Sequence, residues 1–418
     1  MLRGWEVVVV TAPLGPDANE ALGFPRIFTE RARIVECGPA SDVLEPIRRL
    51  LWLLGLRRNR SLTEQIKAQL PASGSRTAFE RAFQTLIAII GWPDLQAPWK
   101  RAAVRAAEAL LTEQHFDGMV SSSPYPTSHL VAAILKDRHP SLRWVADFRD
   151  LWADNHSNQT PAWRQWIDRR WEHRILRCAD ALTSPTEKWA EQLARLHGKP
   201  GFCVPNGFVD YETEESTAPA LSRKFELLYT GVRYPKQQSI RPLLEAIASL
   251  QAERFIDPSS FRFRWIGPFD SETSLMVSEL GIASLVSQES SVGRREARKA
   301  QANAHAVLFL QWEDARTDWS SSLKLHEYVG CGRPILALGG HPESNVSALL
   351  RSTGRSVLAV TADEAATALR QWVGELRITG SIPVSEDWRS MARTLSGISR
   401  GMARLESLFD SVPSPGSL

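Results

Sequence analysis

The sequence predicts an α/β protein built of two doubly wound domains, and three observations carry the prediction. Its 418 residues exceed what a single hydrophobic core usually organises. Two series of short apolar runs alternate with helical patterns, the arrangement that builds parallel sheets covered by helices. Between the series lie the turn-forming Pro205-Asn206-Gly207 and a stretch from Glu212 to Arg223 rich in Glu, Ser, Thr, Ala and Pro, which reads as a linker. The boundaries that follow are domains at 1–211 and 224–385, a linker at 212–223 and a closing helical segment at 386–411.

Composition narrows the class. With 43% hydrophobic and 23% charged residues the chain is of ordinary soluble type, and a net charge of +3 is too small to imply nucleic acid. Cys37, Cys178, Cys203 and Cys331 are scattered without metal-ligand spacing and read as reduced thiols of a cytosolic protein. No apolar run approaches the roughly 18 residues that span a bilayer. Met1 to Trp5 leads straight into the strand-like Glu6–Val10, with no signal-peptide pattern. P-loop, HExxH, GxSxG and zinc spacings do not occur.

In chain order, Gly4–Ala12 is a strand. Residues 41 to 116 interrupt the β/α alternation. Ile47–Arg58 and Phe79–Trp92 are apolar patches with basic residues, and Trp99–Leu111 is an amphipathic helix. Such segments suit a helix lying on an anionic membrane, and equally helices packed on the sheet with snorkelling arginines. Phe116–Ala132 is strand, two-proline turn and helix, and Trp144–Trp152 is strand then loop. Both loops leave the carboxyl ends of strands, where open α/β sheets place ligands. Asp147, Arg149 and Asp150 either tie the second loop together or line such a site, and His129 reads as a satisfied helix residue. Trp163–Leu176 is a helix whose aromatics and arginines could stack single-stranded nucleic acid. Trp163, Trp166 and Ile167 share a face, as do Trp171 and Ile175, so packing is the simpler account. Ala179–Glu187 is strand and capped helix, and Phe202–Asp210 closes the first domain.

The second domain opens with Phe225–Ile247, read as strand, glycine turn, basic loop and helix. Gly231 lets the backbone approach a ligand, and Arg233 and Lys236 make the loop above it cationic, as suits a diphosphate. Phe261–Gly267 is an alternating strand. Arg294–Leu310 is a helix with a solvated arginine face that runs into the buried strand Ala306–Leu310. The densest pattern follows at Ser320–Gly339. Ser320, Ser321 and Ser322 stand at a helix start, where a hydroxyl can cap. Leu325, Tyr328 and Val329 then share an apolar face, opposite Ser320, Lys324 and Glu327. Gly330 and Gly332 end the helix, and Ile335–Leu338 is the next buried strand. A helix start with free N–H groups and a nearby lysine seats a phosphate, and a carboxylate one turn deeper can accept from sugar hydroxyls. The bland alternative is an ordinary solvated helix face. Helices are expected at Ser347–Arg355 and Thr361–Val373, and a long one at Asp387–Phe409.

The string Lys324-Leu-His-Glu-Tyr-Val-Gly-Cys-Gly-Arg-Pro-Ile-Leu-Ala337 resembles the donor-binding segment of the family-4 glycosyltransferases. Ser121–His129 (Ser-Ser-Ser-Pro-x-Pro-x-Ser-His) and Val145–Trp152 (Val-Ala-Asp-Phe-Arg-Asp-x-Trp) resemble one bacterial branch of that family, and Val204–Phe208 resembles its hinge. The resemblance implies a GT-B fold, two Rossmann-like domains facing a central cleft, with the last helix returning to brace the first. It also implies that Glu327 binds the nucleotide ribose, that the Ser320–Ser322 amides hold the diphosphate, and that Lys236, or else Arg233, neutralises it. Asp147, Arg149 and Asp150 would then stand near donor sugar and acceptor. Two departures matter. The family has a second Glu eight positions before Glu327, where this chain has Trp319. Relatives also carry an opening strand and glycine-rich loop ahead of the Gly4–Ala12 strand, so an incomplete first domain is expected.

The function so implied is transfer of a sugar, with retention, from a nucleotide-sugar donor to a glycan or lipid-linked acceptor in cell-envelope polysaccharide synthesis. No metal or other cofactor is expected. The place would be the cytoplasm, with peripheral attachment at the inner face of the plasma membrane as an option, and nucleic acid is not an expected partner. The alternatives are a nucleotide-sugar epimerase of the same fold and a non-catalytic relative that binds a nucleotide-sugar or a partner protein.

Overall fold

The computed structural model describes residues 4–13, 32–38, 89, 91–155, 161–207, 223–235, 237–268, 270–312, 322–341, 343–382 and 398–411. The chain divides into two compact units, one of Met1–Gly15, Arg26–Cys203 and Leu408–Leu418, the other chiefly Val204–Ser407.

The first unit holds two parallel ladders. Strand β1 (Val7–Thr11) pairs with β2 (Ala32–Glu36), and β3 (Gly118–Ser122), β4 (Arg143–Asp147), β5 (Ala181–Ser184) and β6 (Gly201–Cys203) follow one another in a second sheet. Among the described residues no strand pairing joins the two. Its α-helices given in full by the described residues are α1 (Lys100–Glu113), α2 (Pro126–Arg138), α3 (Ala162–Leu176) and α4 (Glu187–His197). Pro126 starts α2 where its missing N–H costs nothing. The Thr186 hydroxyl caps α4 by accepting from the Trp189 amide, and Gly198 ends it at φ 63°. Helix α1 buries Ala103, Val104 and Leu110 in a cluster with Val131 and Leu135 of α2, so this helix is packed on the fold rather than left for a membrane. Ile47–Arg58 and most of Phe79–Trp92 lie outside the described residues.

Helix α3 overturns the packing expected from its sequence. Over its first three turns the stripe it turns inward is charged: Arg164, Asp168 and Glu172, at spacing i, i+4, i+8, are all buried, while Trp163 and Trp166 are exposed. Ile175 and Leu176 are buried at its end, and Trp171, partly exposed, packs on Trp92, as the spacing of Trp171 and Ile175 predicts. The inward charges are compensated. Arg164 pairs with Asp168 and donates to the Pro93 carbonyl, Trp92 donates to Asp168, and Glu172 accepts from the Ala153 amide and pairs with His197.

The second unit is a six-stranded parallel sheet in the order β12-β11-β10-β7-β8-β9. The strands are β7 (Phe225–Thr230), β8 (Phe261–Ile266), β9 (Val286–Glu289), β10 (Ala306–Leu310), β11 (Ile335–Leu338) and β12 (Ser356–Ala359). The chain winds outward in one direction through β7, β8 and β9, then returns to the other side of β7 through β10, β11 and β12. The reversal between β7 and β10, where Ala306 stands beside Leu227, is the switch point at which such sheets bind ligands. Strands β10 and β11 are buried at every position, as their unbroken apolar runs require. Helices α5 (Arg241–Ala252), α6 (Ser271–Glu279), α7 (Arg294–Asn303), α8 (Leu323–Cys331), α9 (Asn345–Ser352) and α10 (Ala362–Thr379) cover the sheet. Thr361 and Glu364 form a capping box on α10.

The closing helix, α11, is described over Ile398–Ser411, and its last residues from Leu408 belong to the first unit. There Phe409 sits 5.4 Å from the Trp5 ring and so close over Gly118 that a Cβ at that glycine would lie 2.4 Å from the phenyl ring. Arg143 donates to the Phe409 carbonyl. The linker at 212–222 and residues 387–397 lie outside the described residues.

Candidate functional site

The switch point of the second unit is built on two touching glycines. Strand β7 ends at Thr230, and Gly231 turns at φ +113°. Gly267, after β8, has φ +140°, and a Cβ there would come within 2.4 Å of the Gly231 carbonyl oxygen. An L side chain is strained at both angles, and at Gly267 it would also strike backbone. The turn is then pinned from several sides. The Gly231 amide donates to the Ile266 carbonyl (2.8 Å), the Trp265 indole N–H donates to the Gly231 carbonyl (3.1 Å), and the Tyr229 hydroxyl donates to the Val232 carbonyl (2.9 Å). Beneath it, the Thr230 amide donates to the Tyr328 hydroxyl (3.0 Å) and the Gln301 amide donates to the Thr230 hydroxyl (3.0 Å), which locks β7 to α8 and α7.

Helix α8 begins beside this turn. Ser322 is its N-cap residue, yet its hydroxyl makes no capping hydrogen bond, so the expected hydroxyl cap is not made. Ser320 and Ser321 lie outside the described residues. The Lys324 ammonium stands over Gly231: a Cβ at that glycine would be 2.8 Å from Nζ. It donates to the Tyr229 hydroxyl at 3.1 Å and lies 4.4 Å above the Tyr229 ring. Burial pushes Lys324 down to about 8, with Glu327 pulling weakly the other way. Among the described residues no carboxylate lies within ion-pair distance of Lys324. Glu327 is instead held by Arg294 at the start of α7, 2.7 Å from the guanidinium. The polar side of α8 is therefore a set of half-buried groups with specific partners rather than a solvated stripe, and Arg294 is not part of a free arginine face.

Arg233 is bound by groups around its own loop. Its guanidinium is buried and donates to both oxygens of Asp270, to Glu272 and to the Gln238 carbonyl. A guanidinium so engaged braces the loop. Lys236 lies outside the described residues. Gln238 continues the brace, accepting from the Tyr234 amide and donating to the Leu310 carbonyl.

In the first unit, the loop after β4 carries Asp147, Arg149 and Asp150. Asp147 is saturated: it accepts from Arg149 on both oxygens, from the Ser122 hydroxyl (2.9 Å) and from the Thr183 hydroxyl (2.7 Å). These bonds tie β3, β4 and β5 at their carboxyl ends. Asp150 differs. Its backbone is fixed by the Ser123 hydroxyl at both N–H and carbonyl, but its side chain is exposed and no described group bonds the carboxylate. The surrounding protein raises its carboxyl above the usual range, against a lowering by Arg149. His129, fully buried and stacked 4.6 Å from Phe148, shares a hydrogen bond with Ser121 (2.7 Å), and burial holds it down to about 4, so the imidazole is neutral.

The structure gathers Gly231 and Lys324 at the switch point, with Glu327 on the same helix held by Arg294, and Tyr229, Gly267 and Arg294, which contact them, were not among the residues singled out from sequence. The glycine closing a strand at 267 was the one visible signal. Among the described residues no group of three or more His, Cys, Asp or Glu side chains could hold a metal ion.

Residues 71–207 match the family model described as glycosyl transferase 4-like domain. Compared with curated proteins, the sequence has no significant match. Among solved structures, the fold is similar to sucrose-phosphate synthase from Thermosynechococcus elongatus at TM-score 0.55 and 14% identity, covering 98% of this chain and 89% of that one. A putative UDP-N-acetylglucosamine 2-epimerase from Listeria monocytogenes aligns at TM-score 0.48 and 12% identity over 99% and 100% of the two chains. WaaG, a glycosyltransferase involved in lipopolysaccharide biosynthesis, aligns at 0.46 and 15% over 70% and 82%.

Proposed function

We propose that this chain is a family-4 type GT-B glycosyltransferase that moves a sugar from a nucleotide-sugar donor to a glycan or lipid-linked acceptor, a reading supported by the match of residues 71–207 to the glycosyl transferase 4-like model. The observation that carries the reading is Lys324. A largely buried ammonium with no carboxylate within ion-pair distance among the described residues is unfavourable until an anion arrives. It stands over a glycine turn at the switch point of a doubly wound sheet, beside a helix N-terminus, where a diphosphate belongs.

In this reading Lys324 and the first amides of α8 hold the diphosphate, and Glu327, oriented by Arg294, accepts from the ribose. When the bond between the anomeric carbon and the diphosphate oxygen breaks, its electron pair stays on the diphosphate. Lys324 stabilises the charge that develops there. The acceptor hydroxyl oxygen forms the new bond to the same carbon, with retention, and its proton passes to the departing diphosphate oxygen. In the first unit Asp147 and Arg149 shape the loop, and Asp150 is the carboxylate left to meet the acceptor. Resemblance of the Lys324–Ala337 and Val145–Trp152 strings to the family supports retention and a role in cell-envelope polysaccharide synthesis in the cytoplasm. A lipid-linked acceptor would bring the chain to an anionic membrane surface.

Calorimetric titration with uridine, guanosine and adenosine diphosphates tests the reading. One of the three is expected to bind, and Lys324→Met to weaken it by about 10- to 100-fold, the range of a charge-assisted hydrogen bond. No heat with any of them ends the proposal.

A further inference from the structure

Helix α3 is inverted relative to an ordinary surface helix, and the inversion has a chemical meaning. Trp166 is 59% exposed and Trp163 40% exposed, whereas Arg164 and Asp168 on the opposite side are 7% and 4% exposed. A protein does not bury an ion pair and leave indoles in water to gain packing, since each choice is unfavourable alone. The outward face has a definite composition. At 3.6 residues per turn, Trp163, Trp166, Arg170, Arg174 and Arg177 fall in one stripe about four turns long. Arg170 lies 4.4 Å over the Trp166 ring, so cation and indole present one surface. The only acids of the helix, Asp168 and Glu172, are turned inward and paired. The exposed face is thus aromatic toward its start, cationic toward its end, and free of negative charge.

The helix is also held rigidly. Trp92 packs edge-on against Trp171 at 4.9 Å and bonds Asp168, and Arg164 grips the Pro93 carbonyl, so the 92–95 segment is clamped along α3. That segment brings the exposed Leu95 with it.

We propose that this face of α3 is a docking surface for an anionic lipid bilayer, with Trp163 and Trp166 entering the headgroup layer and Arg170, Arg174 and Arg177 meeting lipid phosphates. Indoles favour the bilayer interface because one edge is apolar and the other wet, and arginines beside them favour an anionic leaflet. Charge complementarity selects the occupant: an acid-free, arginine-bearing face fits a negative surface, and exposed indoles fit one that can be entered. The inference deepens the lipid-linked-acceptor reading but does not depend on transfer taking place.

The test is flotation of the full chain with phosphatidylcholine vesicles, alone or with about one third phosphatidylglycerol. The chain is expected to float with the anionic vesicles at low ionic strength and to stay down with the neutral ones. The double variant Arg170→Glu, Arg174→Glu is expected to lose binding by about fivefold or more per charge removed, and Trp163→Ala, Trp166→Ala to lose it at least tenfold. A second pair, Trp163→Phe with Trp166→Phe, keeps the apolar area. It is expected to keep flotation while losing most of the fluorescence quenching by lipids brominated near the headgroup. Unchanged thermal melting and nucleoside diphosphate binding in the variants confirm that they fold, and also separate a failure here from a failure of the transferase reading. The proposal is overturned if the wild-type chain stays down with both vesicles or floats equally with both. Variants that float like wild type, quenching that survives the phenylalanine pair, or a self-association or oligonucleotide affinity lost in these variants without vesicle binding would overturn it too.

Discussion

Two charged clusters, one in each unit, sit at the carboxyl ends of parallel strands and look alike in sequence. Around Asp147 the protein has supplied every partner: one guanidinium and two hydroxyls meet the two oxygens of a single carboxylate. Around Lys324 the described residues supply a hydroxyl and an aromatic face but no carboxylate within ion-pair distance. A saturated cluster holds strands together, and an unsaturated one is completed by something that arrives. The same contrast recurs within each unit, since no described group bonds the Asp150 carboxylate beside Asp147, and Arg233 is held by Asp270, Glu272 and the Gln238 carbonyl beside Gly231.

Substitutions can break this contrast in a definite order. Asp147→Ala should be the most disruptive for the fold, removing the carboxylate that holds the Arg149 guanidinium and the Ser122 and Thr183 hydroxyls together. A loss of about 2–3 kcal/mol is expected in denaturant unfolding, less than for a fully buried pair because Arg149 retains some solvent. Binding of nucleoside diphosphate by the same variant should stay at the wild-type level, so a parallel loss of affinity would erase the distinction. Lys324→Met should do the reverse. Burial lowers the folded-state value of Lys324 below its ordinary 10.5, so its charge reduces stability at neutral pH, and that penalty fades as pH rises from 8 towards 10.5. The methionine variant should melt at the same temperature or higher while losing donor affinity; a lower melting temperature would make Lys324 a framework residue.

Gly231→Ala should cost about 1–3 kcal/mol of backbone strain and lower affinity as well, because the new Cβ displaces Nζ from 2.8 Å. Affinity should also follow pH. A bound diphosphate raises the lysine value that burial had pushed down to about 8, so binding is level below pH 8 and weakens above it by up to about tenfold per unit. A flat profile to pH 9.5, which is roughly 1.5 units above that value, would remove Lys324 from the diphosphate. The smallest effect on stability, within about 0.5 kcal/mol, is expected for Asp150→Asn at its exposed position. A slower transfer with unchanged donor binding would sharpen its difference from Asp147.

Much of the second unit was legible because its signals are local. The fully apolar Ala306–Leu310 and Ile335–Leu338, and the glycines after them, declare buried parallel strands without help from elsewhere. The face of α8 was legible too, but not its fate. Whether Glu327 meets solvent or Arg294 depends on a residue 33 positions away, which periodicity cannot report. Helix α3 was misread for the same reason on a larger scale. Its Trp and Ile spacing fits packing, and only the partners of Arg164 and Asp168, at Trp92 and Pro93, turn the charged side inward. Strand β12 escaped notice because Ser356–Ala359 is short and only partly buried.

The placement of Phe409 has a consequence for how the molecule is made. Its ring closes over Gly118 and against Trp5, residues synthesised hundreds of positions earlier, so the unit begun first at the ribosome is completed last. The second unit, whose strands and helices come from one continuous stretch, can mature while its predecessor waits with an uncovered glycine strand. Nascent chains stalled before position 409 should therefore show a protease-resistant second unit beside a still-cleavable first, and release of the final turn of α11 should protect both.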